Sequence, residues 1–317
     1  MELNKIKINN FIWCFMLLLI VLLLLKYTKE YFNDTNKDLG YNNLTIVTAY
    51  FKINRTRNID YTQGRTSMAV DSDGMYREWM KGILSYKGPM VIYTDEESYS
   101  YIKNLREGKR TDIIKTRLED LEAYPYFKNN KLNSKTYYTM VWKENDNVDV
   151  NKKLYTIWNS KFSLLKQAVD KNKFDTPYYS WFDIGYIREQ DKRLGYDWPN
   201  KQKLEILDDK VLFKIVYGGP TCEEGGSVAG NFIGCNRDNI HKVHSLFLDQ
   251  LKKRFKEGTF AGNDQELYND IRCAHPELIK GIKGLDTDYW DHVEGKWFYM
   301  VPYFYNKMFK VIEKFMV

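Results

Sequence analysis

Five uncharged residues, Tyr178-Tyr-Ser-Trp-Phe182, run straight into Asp183, with Gly185 and Arg188 close behind. An aromatic run of strand length without polar alternation suits a strand covered on both faces, which is the habit of parallel sheets. A lone carboxylate at its tip is costly unless something compensates its charge. In open α/β sheets ligands sit beyond the carboxyl ends of the strands, so Asp183 stands where a ligand or metal would meet it, and Gly185 lets backbone or ligand come close. The competing reading is a turn: Asp and Gly are ordinary turn residues, and Arg188 then pairs with Asp183 at the surface.

The rest of the chain repeats the strand and helix alternation. Leu44-Thr-Ile-Val-Thr-Ala-Tyr-Phe51 reads as the first central strand, followed by a polar loop over 52–72 that carries Arg55, Arg57 and Arg65. Such a loop lies over the crevice of a nucleotide-binding fold, so these arginines either meet a diphosphate or are simply solvated. A helix over 75–85 has Met75, Trp79, Met80 and Ile83 on its apolar face and stops at Gly88-Pro89. Met90–Tyr93 is a second buried strand, 96–106 a helix, and Ile113–Leu118 a third strand. This order predicts an α/β fold with a doubly wound, mostly parallel sheet flanked by helices.

Further on, an amphipathic helix is expected over Leu154–Lys171, with Ile157, Lys161, Leu164, Leu165 and Ala168 on one face. Lys161 is the odd member: it either snorkels past the core or reaches the crevice as a phosphate counter-charge. Strands follow over 210–216 and 227–234, the second rich in small residues, Gly230 among them, of the kind used where a ligand approaches the backbone. The glycine-rich loop 218–226 between them matches neither phosphate-loop pattern. A long helix spans 237–256, and Asp264-Gln265 opens another, where Asp264 is either a cap or a functional carboxylate. His241 and His244 share a helix face without a third ligand in view, and His292 stands in the aromatic stretch 290–304.

The N-terminus adds a second theme. Residues 11–25 are unbroken apolar, FIWCFMLLLIVLLLL, with lysines on both sides. Lys26-Tyr-Thr-Lys offers no small-residue cleavage site, which favours an uncleaved signal anchor over a cleaved signal peptide. The expected layout is a short tail (1–10), a transmembrane helix (11–26), a polar stalk (27–43) and one catalytic domain (44–317). Sequons at Asn33, Asn43 and Asn54 suit an exported body, a type II arrangement with the domain outside the cytoplasm. The body carries Cys222, Cys235 and Cys273, which allow one disulfide and one free thiol. Net charge is +6 with both signs interspersed, so no basic block recommends nucleic acid as a partner.

Several of these pieces occur together in one family. Thr45–Phe51, Val91–Thr94, Trp158-x-x-Lys161, Trp181-Phe-Asp-Ile-Gly185 with Arg188, Trp198-Pro199, Ala229–Gly234 and Gly262-Asn-Asp-Gln265 stand in its order over residues 44–305. The chain thus resembles the bacterial HtrL/YibB family, also described as WlaTC/HtrL-type glycosyltransferases. The resemblance implies a GT-A-like domain that moves a sugar from a nucleotide-sugar donor to a glycan or glycoprotein acceptor. Asp183-Ile-Gly185 would be the counterpart of the Asp-x-Asp motif that holds Mn²⁺ or Mg²⁺ on the donor diphosphate. It departs from that motif in lacking the second carboxylate, so His292 enters as a further metal ligand. The resemblance implies Asp264 as the catalytic carboxylate, with Lys161, Gly185, Arg188, Gly230 and Gln265 on the substrates. An aspartyl phosphatase would need a second acid and a hydroxyl just after Asp183, which 184–188 lacks. A non-catalytic glycan-binding membrane protein that keeps the fold is the other alternative.

Overall fold

The structure is a computed structural model that describes residues 40–53, 56–58, 69–128, 148–187, 194, 198–219, 221–223, 225–283 and 300–305, together with 16, 18, 21, 22 and 26. Two compact units divide the chain, Met1–Leu39 and Gly40–Val317. The described residues of the first are helical. The expected anchor and stalk fall almost wholly outside the described residues, and among those described no helix is long and apolar enough to cross a membrane.

The second unit contains, in order, β1 (Leu44–Tyr50), β2 (Thr56–Asn58), β3 (Ala69–Asp71), α1 (Ser72–Leu84), β4 (Met90–Thr94), α2 (Glu96–Leu105), β5 (Thr111–Lys115), α3 (Tyr124–Lys128), α4 (Val148–Asn159), α5 (Lys161–Lys171), β6 (Tyr178–Phe182), α6 (Lys201–Leu204), β7 (Val211–Gly218), β8 (Gly226–Asn236), α7 (Arg237–Glu257), α8 (Asp264–Ala274), β9 (Ile279–Lys283) and α9 (Met300–Tyr303). Seven strands form one sheet in the order β5-β4-β1-β6-β8-β7-β9, and β2 and β3 form a separate ribbon. Strands β5, β4, β1 and β6 are mutually parallel, β8 runs antiparallel to both β6 and β7, and β9 is parallel to β7. The fold is therefore α/β with a mostly parallel sheet, as the alternation of elements requires.

Both faces of the sheet are covered, which explains why its central strands lack polar alternation. Val47, Tyr179 and Trp181 point to the face packed by Phe162, Leu165, Phe247 and Leu267 of α5, α7 and α8. Ile46, Tyr178 and Phe182 point to the opposite face, against Met80 and Ile83 of α1 and Ile102 of α2. Successive side chains thus enter two different cores, the period-2 rule acting on a fully buried strand.

The expected helix over 154–171 is two helices. It breaks at Ser160, where two local polar side chains compete with the helical ladder. Asn159 Nδ2 donates to the Tyr155 carbonyl at 2.9 Å and to the Gly262 carbonyl at 3.0 Å, while the Ala123 amide donates to Ser160 Oγ at 3.3 Å. The break places Lys161 at the first position of a new helix. The third strand begins at Thr111 and ends before Leu118, which lies in a 3-10 turn. Between β7 and β8 the glycine-rich loop closes a hairpin, with Gly218 and Gly225 in the left-handed region (φ 73° and 68°). Cys222 in that hairpin is bonded to Cys273 of α8, and Cys235 is the buried free thiol.

Candidate functional site

The sheet has a switch point at β1. Strands β4 and β5 are laid down on one side of it and β6 on the other, so the carboxyl ends of β1 and β6 border the crevice where such folds take ligands. Asp183 follows the last residue of β6 and stands at that edge. Its amide donates to the Asn231 carbonyl of β8 at 3.0 Å, and its carbonyl accepts from the Tyr186 amide at 2.8 Å, which fixes the turn. Trp181 Nε1, on the same face of β6, donates to Asp183 Oδ1 at 2.8 Å.

Lys161 reaches this carboxylate from beneath. Its ammonium is 3.0 Å from Asp183 Oδ1, 2.8 Å from Asp264 Oδ2 and 2.6 Å from the Gly230 carbonyl oxygen. An ammonium has three protons, and three acceptors surround this one. Lys161 is therefore turned inward as the clamp between two carboxylates, and its charge is already engaged before any phosphate arrives. The side chains of Lys161 and Asp264 are 3% and 4% exposed, whereas that of Asp183 is 37% exposed. Asp183 is the member of the cluster that an incoming ligand can touch.

Burial alone would push the Lys161 ammonium down, but Asp183 and Asp264 outweigh it and hold the group above its ordinary value. Burial pushes the Asp264 carboxyl up, against the opposing pull of Lys161. The Tyr268 hydroxyl is also raised well above its ordinary value, by burial first and then by the charges of Asp264 and Asp183. By formal charge, two carboxylates and one ammonium leave the cluster one net negative charge.

The local sequence explains the placement of Asp264. Asn263, not Asp264, caps α8, its Oδ1 accepting from the Gln265 amide at 3.0 Å. That leaves the carboxylate of Asp264 free to turn into the sheet toward Lys161. Gly230 makes the turn possible: a Cβ there would lie 2.5 Å from Asp264 Oδ1 and 2.7 Å from Oδ2. What the missing side chain admits is thus the carboxylate of Asp264. Gly230→Ala is expected to lower stability by about 1–3 kcal/mol through overpacking, read as a shifted denaturant midpoint with unchanged slope.

Gly185 lies in the turn beyond Asp183, where a Cβ would come within 3.2 Å of Tyr76 Cε1 and 3.3 Å of Trp79 Cε3. The close approach predicted there is made by these α1 aromatics. Gln265 sits in the first turn of α8, its Oε1 accepting from Asn263 Nδ2 at 3.4 Å. Arg188 and His292 lie outside the described residues, as do Arg65 and Arg55. His241 and His244 do not converge: they face Asp170 at 3.3 Å and Glu122 at 2.7 Å respectively. The structure thus brings Asp183, Lys161, Asp264 and Gly230 together and sets Gly185 and Gln265 beside them. Sequence reasoning did not find Trp181 as the support of Asp183, although it sits two places before Asp183 and so on the same side of the chain.

A divalent cation at this edge would meet Asp183, the exposed carboxylate of the cluster. Its Oδ1 is engaged by Trp181 and Lys161, and the side chain is 37% exposed. Among the described residues no group of three or more His, Cys, Asp or Glu side chains gathers to hold a metal. One partly exposed carboxylate fits a cation that arrives with a diphosphate and keeps most of its ligands from it, the usual habit of Mg²⁺ sites. It does not fit a cation held by the described side chains alone.

A solved structure similar to this chain is the crystal structure of 4-diphosphocytidyl-2C-methyl-D-erythritolsynthase from Anaerococcus prevotii DSM 20548, at 7% identity and a TM-score of 0.34 over 78% of this chain and 89% of that one. At that score the likeness carries no argument. No curated protein matches the sequence. A family model described as "Bacterial protein of unknown function (HtrL_YibB)" matches residues 42–304, a span that holds β1, β6, Lys161, Asp183 and Asp264. The chain belongs to the HtrL_YibB family.

Proposed function

We propose that this chain is a nucleotide-sugar-dependent glycosyltransferase, which moves a sugar to a glycan or glycoprotein acceptor. The observation that carries the reading is the half-exposed carboxylate of Asp183, fixed by Trp181 and Lys161 at the switch point of a largely parallel sheet. A carboxylate held rigidly over a crevice, with a buried cation and a second carboxylate behind it, is a preorganised electrostatic site. In this reading Asp183 would hold a Mn²⁺ or Mg²⁺ ion at the diphosphate end of the donor. When bound, that ion supplies positive charge against the departing diphosphate. Lys161 holds Asp183 in position, and Asp264 keeps Lys161 in place. Gln265, Arg188 and His292 remain candidates for donor and metal contacts in this proposal.

Asp264 is sealed behind Lys161, so its part here is positional. That same burial is what favours the second reading, a non-catalytic glycan-binding protein in which the cluster is purely structural. The two differ in turnover. The full-length chain in detergent, given UDP-, GDP- or CMP-sugars with Mn²⁺ and a mixture of glycan acceptors, is expected to release nucleoside phosphate from one of them as the sugar passes to an acceptor hydroxyl or to water. Asp264→Asn, which keeps the shape and removes the charge, is expected to slow that release on the order of 10²-fold by letting Lys161 and Asp183 drift. No release from any donor, with the fold intact, favours the binding protein.

The proposal includes a membrane anchor at residues 11–26 and an extracytoplasmic body. Met16, Leu18, Val21 and Leu22 are exposed apolar residues, which agrees with a helix that something apolar must cover. The Cys222–Cys273 bond agrees with an oxidising compartment.

A further inference from the structure

Among the described residues of the body, Tyr76 and Tyr217 are the exposed large apolar side chains, and Tyr76, at 36% exposure, has an unusual position. Its ring is 6.1 Å from that of Tyr50, the last residue of β1, and 5.3 Å edge-on from Trp79. Its Cε1 and Cδ1 edge lies against Gly185, two residues beyond Asp183 and close enough that a Cβ there would be crowded. The ring therefore bridges the carboxyl ends of β1 and β6, across the same crevice edge as Asp183.

Three neighbours hold this ring in place while leaving part of it open to solvent. Trp79 contacts it edge to face, Tyr50 leans on it, and the absence of a side chain at Gly185 lets it settle onto the turn. An aromatic that is immobilised yet exposed loses little entropy when a flat group lies on it. The βαβαβ half built from β1, α1, β4, α2 and β5 is the mononucleotide-binding half of a doubly wound sheet. A diphosphate at Asp183 would direct its nucleoside over that half, toward α1.

We infer that Tyr76 is the stacking platform for the nucleobase of the donor. The inference rests on the transferase reading and names a residue that determines donor affinity. The test is calorimetric binding of UDP, GDP and CDP, and of the matching nucleotide sugar, to the full-length chain and to Tyr76→Ala, Tyr76→Leu and Tyr76→Phe. Tyr76→Leu keeps apolar packing on Trp79 and Gly185 without a π face, so it separates stacking from folding.

Wild type should bind at least one nucleoside diphosphate. Ala and Leu should weaken it about 5- to 100-fold, the range for losing one base–aromatic stack, while Phe stays within about twofold. Equal affinity in wild type and Leu overturns the platform and leaves the transferase reading standing. Weaker binding of the nucleotide sugar alone, with the free diphosphate unaffected, overturns the nucleobase in favour of the donor's pyranose. No binding of any nucleotide by wild type removes the transferase reading, and the platform with it.

Discussion

Lys161→Met is expected to cost the fold about 3–5 kcal/mol, because it removes the cation between two carboxylates and leaves Asp264 buried without its partner. Methionine fills much of the same channel beside Trp181, so lost volume explains little of the effect. The loss should depend on pH in a defined way. The lysine is held above its ordinary value of 10.5, so its contribution is complete below that pH and disappears as the pH rises through its folded value. On the acid side the gap should also narrow. Asp264 is already raised by burial, and once protonated it no longer needs the ammonium. Denaturant unfolding of both proteins across pH should therefore show the largest difference near neutrality. Adding Asp264→Asn to Lys161→Met should restore part of the stability, since an uncharged pair removes the stranded charge. A pH-independent difference would mean that packing, not the ion cluster, carries the effect.

Asp183→Asn should have the largest effect on function and a small one on the fold. The side chain keeps its shape, and an amide oxygen still accepts from Trp181 Nε1 and Lys161. What disappears is the exposed carboxylate charge at the end of β6. Turnover of the donor is expected to fall about 10²- to 10³-fold, the usual loss on removing one preorganised electrostatic group. Steady-state release of nucleoside phosphate, followed against Mn²⁺ concentration, measures it. Unchanged turnover would mean that Asp183 is only the outer rim of a structural ion cluster.

Much of this fold was legible in the sequence because its strongest signals are local. Runs such as Leu44–Tyr50 and Tyr178–Phe182 can hardly be anything but strands covered on both faces. Strand β9, Ile279-Lys-Gly-Ile-Lys283, escaped because a short lysine-bearing edge strand carries little apolar signal. The break at Ser160 escaped because it depends on Asn159 finding the Gly262 carbonyl, a partner far away in the chain. The site was legible as separate residues and not as a cluster. Asp183 stood out as an acid at a strand tip, and Asp264 as an acid at a helix start. Nothing local says that Asn263 takes over the cap, or that Gly230 makes room for the freed carboxylate. Lys161 looked like a lysine that either snorkels or binds phosphate, and the structure buries its ammonium among Asp183, Asp264 and the Gly230 carbonyl. The ammonium donates to the Gly230 carbonyl and lies within ion-pair distance of Asp183 and Asp264, and such a convergence exists only after the sheet has closed.

The measurement that bears most directly on the account is the melting of the full-length protein and of Asp183→Asn against UDP-, GDP- and CMP-sugars, each with and without Mn²⁺. A donor bound only by the folded state stabilises it by about 2.7 kcal/mol at a hundredfold excess over Kd. The account predicts such a shift in the wild type for one class of donor, dependent on the metal and absent in Asp183→Asn. A metal-dependent shift of equal size in both proteins, or none in either at millimolar donor, would contradict it.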